Sequence, residues 1–226
     1  MRFAAIIFDF DGVLLESEHE INRLIARLLT GLGHPTTEQE TTEHFTGLSG
    51  RQFVAAVEAR IGRTLPASFH DQLREAGNRA INDGIEEVAG AVEFVRSLPP
   101  DLPKAVASSS STRWVRAHLH HLGLAEVFGD HVYSGKEHVA RGKPAPDLYL
   151  HAASALGVTI DETVIIEDSK VGATGALASG AHVIGLAAGR HCFDGHADML
   201  RSVGVRHVAH DFGEVVRLIG LDQPSR

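Results

Sequence analysis

Cysteine is almost absent: Cys192 is the only one in 226 residues, so no intramolecular disulfide can form, which suits a reducing cytoplasm. Long apolar runs are missing too. The N-terminal stretch Phe3 to Phe8 is broken by Asp9, too short for the core of a signal peptide and far too short to span a bilayer. Positive charge is sparse, with 21 Lys and Arg against 29 Asp and Glu and a net charge of −8. A protein that grips nucleic acid through its phosphates is normally basic, so that partner class is excluded. Hydrophobic residues at 43% and charged ones at 22% are ordinary globular values, which removes disorder, collagen and coiled coil. There are no repeats and no low-complexity tract, and only the tail beyond Leu221 lacks a packing pattern. Nothing calls for more than a monomer.

What is present is a series of short apolar runs. Phe3 to Phe8 has the β-branched and aromatic content of a strand buried on both faces. Similar runs recur at Lys104 to Ala107, Thr163 to Ile166, His182 to Leu186 and Arg206 to Ala209. Helical patterns separate most of them, at Trp114 to Leu122, Asp147 to Leu156 and Val171 to Ser179. That alternation predicts an α/β fold with a parallel sheet covered on both sides. The stretch from Glu16 to Asn82 breaks the rhythm. Ile21, Leu24, Ile25, Leu28 and Leu29 fall on one helical face; Phe53, Val54, Val57 and Ile61 form a second, and Phe69, Leu73, Ala76 and Ala80 a third. The expectation is an all-helical insert over residues 16–82, with a core domain made of residues 1–15 and 83–226.

In an open parallel sheet, ligands sit beyond the carboxyl ends of the strands, so the residues after each apolar run are the candidates. The first run ends in Asp9-Phe10-Asp11-Gly12, which can turn both aspartates into one pocket and which alone also reads as a polar turn with an Asp cap. Val13 and the lack of a closing Glu exclude an EF-hand. The second run ends in Ser108-Ser109-Ser110-Ser111, either an anion site or an ordinary helix N-cap. Lys143 follows Gly142 and precedes Pro144, which blocks a P-loop reading and leaves a lysine on a proline-stiffened loop. The third run ends in Glu167-Asp168-Ser169, adjacent acids that repel one another unless a cation lies between them and other carboxylates. Hard oxygen ligands of this kind suit Mg²⁺.

In this order, Asp9-Phe10-Asp11-Gly12-Val13, Ser108, Gly142-Lys143-Pro144-Ala145-Pro146-Asp147 and Ile166-Glu167-Asp168-Ser169 resemble the four motifs of the haloacid dehalogenase (HAD) superfamily. The helical insert resembles that family's C1 cap, as in phosphoglycolate phosphatase and β-phosphoglucomutase relatives. The resemblance covers nearly the whole chain and implies a Rossmann-like parallel sheet carrying a cap. It implies a Mg²⁺-dependent phosphatase acting on a small phosphorylated metabolite, a sugar or sugar acid phosphate. Asp9, a carboxylate ionised at neutral pH, would attack phosphorus and form an aspartyl-phosphate. Asp11 would act as general acid and base. Ser108, with the backbone N–H of Ser109, and Lys143 would bind the phosphoryl group. Asp9, Asp11, Glu167 and Asp168 would surround the metal.

Departures from the family prune its branches. Asp11 is present, and haloacid dehalogenases lack it. None of the four lysines lies between Glu16 and Asn82, so the Schiff-base phosphonatase mechanism is excluded. Ile21, Ser111 and Thr112 stand where β-phosphoglucomutase relatives carry a histidine and a Lys-Asn pair, which favours hydrolysis over a mutase. A receiver-type signalling domain uses similar groups, but it is about half this length and has no helical insert. Substrate choice is expected from the insert, where Thr46 to Arg51 resembles a cap loop. Arg51 is a candidate partner for a second anionic group and, equally, a solvated arginine. The histidines at 118, 120 and 121 read as a solvated helix, His191-Cys192 with His196 as a loop with incidental ligands, and Trp114 as packing.

Overall fold

The computed structural model describes residues 3–45, 48 and 50–220. Six strands, β1 (Ala5–Phe8), β2 (Lys104–Ser108), β3 (Val132–Ser134), β4 (Thr163–Glu167), β5 (His182–Leu186) and β6 (His207–Ala209), form one sheet in the order β3-β2-β1-β4-β5-β6. Every pairing is parallel, with Ile7 opposite Ala105 on one side and Ile165 on the other. Alternate residues of the central strands feed two separate cores. Ile6, Phe8, Val106 and Ile166 face one, Ile7, Ala105, Ala107 and Ile165 the other, which is why these runs are apolar throughout.

The first core is covered by α5 (Ala91–Ser97), α6 (Thr112–His121), α7 (Ala125–Phe128) and α11 (Phe212–Ile219). The second is covered by α8 (Asp147–Leu156), α9 (Lys170–Ser179) and α10 (His196–Ser202). Between β1 and α5 come α1 (Ser17–Gly31), α2 (Glu38–Phe45), α3 (Gly50–Ile61) and α4 (Ala67–Asp83). These four helices bury a core of their own, built on Ile25, Leu29, Phe45, Val57, Ile61, Leu65 and Phe69. The segments leading into and out of them run side by side. Glu16 N–H donates to the Glu86 carbonyl (3.0 Å) and Val88 N–H to that of Leu14 (3.1 Å).

The short helices α5, α7, α10 and α11 were not picked out in the sequence, and two further elements escape its pattern for plain reasons. β3 is an edge strand of three residues, too short for an apolar run to declare itself, and α2 carries mostly polar residues. The helix expected from Trp114 starts two residues earlier, because Ser111 caps it and accepts from Trp114 N–H at 3.3 Å. The tail beyond Leu221 lies outside the described residues.

With β1 between β2 and β4, the carboxyl ends of three strands are neighbours. Asp9, Ser108 and Glu167 therefore meet at one edge of the sheet, where strand order reverses.

Candidate active site

Asp9, Glu167 and Asp168 each place a carboxylate oxygen within 4.8 Å of the other two, and all three are buried. Lys143 reaches in from its proline loop. Its Nζ donates to Asp9 Oδ1 at 2.5 Å and to Glu167 Oε1 at 2.6 Å, with its side chain 3% exposed. One ammonium does not neutralise three carboxylates. Burial, then the charge of Glu167, pushes both Asp9 and Asp168 well above the ordinary carboxylate range, with Lys143 opposing. Burial and crowding thus disfavour the carboxylate form of Asp9 that the sequence reading expects, and positive charge in the pocket favours it.

The two neighbouring acids after β4 are held differently. Glu167 Oε1 accepts from Lys143 and from Tyr149 O–H (2.7 Å), and Oε2 accepts from Ser169 N–H and Oγ (3.1 Å each). Asp168 is 1% exposed, yet among the described residues neither carboxylate oxygen has a hydrogen-bond donor. His191 Nε2 approaches Oδ2 to 2.8 Å, but off the line a hydrogen bond requires. Buried carboxylate oxygens without donors, beside two further carboxylates, form a hard-oxygen set that fits Mg²⁺.

Asp11 lies to one side under four donors. Ser17 Oγ (2.6 Å) and Trp114 Nε1 (2.9 Å) donate to Oδ1, while Ser110 Oγ (2.7 Å) and Ser108 Oγ (3.3 Å) donate to Oδ2. Trp114 does pack on the core, but it also holds this carboxylate, a role its sequence position did not reveal. His118 backs the indole edge-on at 4.3 Å and is buried, unlike the exposed His120 and His121 of the same helix. Ser111 is the N-cap of α6, so one serine of the run does have the ordinary capping role.

Two glycines hold the pocket closed up. Gly12 has φ +84°, and a Cβ there would run into Asp168 Oδ2; one at Gly172 would run into the Glu167 carboxylate. Gly172 therefore leaves room for the Glu167 carboxylate, whereas Gly175 packs against the carbonyls of Pro144 and Ala145.

A cleft of about 710 Å³ opens over Asp9, Asp11, Ser109 and Lys143 and is roofed by α1, α3 and α4. Its half-buried Glu18 is pushed up to about 8 by burial, opposed by His191 and reinforced by Asp11, Asp168 and Asp9. Arg51 is exposed in the first turn of α3 and does not line this cleft, whereas Arg27, Arg79 and Lys136 do. Thr46, Gly47 and Ser49 of the expected cap loop lie outside the described residues.

Comparison with known proteins agrees with this construction. The model of the haloacid dehalogenase-like hydrolase family matches residues 6–186. The 6-phosphogluconate phosphatase of Escherichia coli is 26% identical over 84% of this chain and 85% of its own. Hexitol phosphatase A of the same organism is 31% identical over 81% and 83%. A HAD family hydrolase from Deinococcus radiodurans, solved with bound phosphate and sodium, superposes with a TM-score of 0.79 at 33% identity over 99% of each chain. The chain belongs to the haloacid dehalogenase-like hydrolase family and is a hydrolase of its phosphatase group.

Proposed function

We propose that this chain is a Mg²⁺-dependent phosphatase that hydrolyses a small phosphorylated metabolite, a sugar or sugar acid phosphate, as a monomer in the cytoplasm. The reading rests on one observation above all: Lys143 bridges Asp9 and Glu167 beside an Asp168 whose buried oxygens have no donor. Asp9 and Asp168, with Glu167 beside them, would hold Mg²⁺, which would supply positive charge that favours the ionised Asp9 and offsets the phosphate dianion. Asp9 then attacks phosphorus in line with the leaving alkoxide and carries the phosphoryl group as an aspartyl-phosphate. Lys143 stays on the nucleophile and meets the phosphoryl oxygens, joined by Ser108 and the Ser109 N–H. Glu167, already filled by four donors, holds Lys143 in place.

Asp11 gives its proton to the leaving oxygen and takes one from the attacking water. Ser17, Ser110 and Trp114 hold it ready for both transfers. Trp114→Phe keeps an aromatic ring but removes one of the four donors. The expected result is a kcat about tenfold lower at nearly unchanged KM, since the lost bond orients the acid rather than the substrate. A rise in KM at constant kcat would instead make Trp114 a substrate contact.

Residues 16–82 act as the cap over the core of residues 1–15 and 83–226, and the paired linkers at Glu16 and Glu86 are its hinge. Arg27 and Arg79 in the roof are suited to a sugar acid's carboxylate. Free-phosphate release is measured over phosphorylated sugars, sugar acids, polyols and nucleotides, with Mg²⁺ and with chelator. Metal-dependent release from one or a few sugar-type members is expected. Appearance of an isomeric sugar phosphate without free phosphate would replace the phosphatase by a mutase.

A further inference from the structure

Three side chains that hydrolysis leaves unused meet behind Asp168. His191 and Cys192 lie on the loop after β5, and His196 opens α10. Their sequence spacing matches no established zinc motif, yet each offers a ligand atom within 4.8 Å of the other two. His196 Nε2 lies 2.8 Å from the Asp168 carbonyl. A carbonyl can only accept, so Nε2 carries the proton and Nδ1 is a lone pair. That Nδ1 is buried and has no partner among the described residues.

His191 is also buried, with Nδ1 unpartnered. Its Nε2 sits 3.8 Å from Cys192 Sγ and 2.8 Å from Asp168 Oδ2, the latter off hydrogen-bond alignment. A histidine anchored through one ring nitrogen, with a bare lone pair on the other, is the form metal-ligating histidines take. Imidazole and thiolate prefer borderline-soft ions, whereas the Asp9, Glu167 and Asp168 oxygens prefer hard ones, so the two groups select different cations. Cys192 is half-exposed and offers the way in.

We infer that His191, Cys192 and His196 form a second cation site, for a borderline-soft divalent ion of the Zn²⁺ class, with a fourth position open to water. The site communicates with the carboxylate cluster through Asp168, which His191 contacts at the carboxylate and His196 at the carbonyl. A cation on these rings places positive charge beside Asp168 and draws on its electron density. Asp168 then serves Mg²⁺ less well. By linkage, Mg²⁺ weakens Zn²⁺ binding by the same factor that Zn²⁺ weakens Mg²⁺ binding.

The test uses reduced, metal-free full-length protein in excess Mg²⁺, titrated with Zn²⁺ against a chromophoric chelator and, separately, loaded with Co²⁺. One retained equivalent of Zn²⁺ and a sulfur-to-cobalt charge-transfer band are expected. Cys192→Ser, at a half-exposed position where the fold tolerates it, should lose the band and at least about tenfold in zinc affinity. Zinc binding equal in wild type and Cys192→Ser, or a cobalt spectrum without the sulfur band, overturns the site. So does displacement of all zinc by Mg²⁺, which would put the zinc on the carboxylates instead. None of these readouts depends on turnover, so failure here leaves the phosphatase reading untouched.

Discussion

Asp9→Asn should abolish phosphate release, by at least about 10⁴-fold, while the protein stays folded. Asparagine keeps the size of the side chain and one oxygen for Lys143, but it cannot displace an alkoxide and hold the phosphoryl group. The fold should survive, because the substitution removes one of three crowded buried acids. Burial and the charge of Glu167 already push Asp9 well above the usual carboxylate range, so its charged form is costly to hold in the metal-free pocket. For such an acid the stabilising contribution is complete below the unfolded-state value near 4 and is lost as pH rises through the higher folded-state value. A neutral side chain avoids that loss. Metal-free Asp9→Asn should therefore melt no lower than wild type at neutral pH, and Mg²⁺ should raise its melting temperature less. Retained turnover in homogeneous Asp9→Asn protein would remove Asp9 from the nucleophile's role.

Asp9 was legible in the sequence because it stands one residue beyond an apolar run, as do Ser108 and Glu167, with Asp168 next after Glu167. A strand buried on both faces must end where its polar residues begin, so the chain itself marks the sheet's carboxyl edge. β3 left no such mark: three residues at the edge of the sheet need little apolar content. Residues that act from helices and loops were also hidden. Trp114 is 103 positions from Asp11, and an aromatic at a helix start reads as packing unless the turn above it is known. Ser17 and Ser110 are short hydroxyls in polar stretches, indistinguishable there from caps. His191 and His196 became informative only when the loop after β5 folded back onto Asp168. Arg51 follows a loop resembling those of relatives, much of which lies outside the described residues, and the arginines that line the cleft are Arg27 and Arg79.

Lys143→Met should cost both activity and stability. Burial disfavours the ammonium, but Asp9 and Glu167 outweigh it and hold the group well above the ordinary lysine value. A raised lysine gives a contribution that is complete below the unfolded-state value near 10.4 and fades only as pH climbs through the folded one, so at neutral pH all of it is present. Methionine fills the channel of the stem and leaves Asp9, Glu167 and Asp168 with no cation among them. Breaking a buried pair in this way costs about 3–5 kcal/mol. For a chain of this length that lowers the melting temperature by roughly 10 °C or more. Added Mg²⁺ should recover more of the loss in the variant than it adds to wild type, since it replaces missing positive charge as well as binding the folded state. Turnover should stay about 10³-fold down even at saturating Mg²⁺, because the phosphoryl oxygens would lose a donor that a bound cation does not replace. Lys143→Arg should not restore it: the slot leaves the side chain 3% exposed, and a planar guanidinium cannot sit as a point charge between two carboxylates. Equal melting of wild type and Lys143→Met without metal would mean that the three acids are protonated in the resting protein. The pocket would then owe its shape to hydrogen bonds rather than to charge.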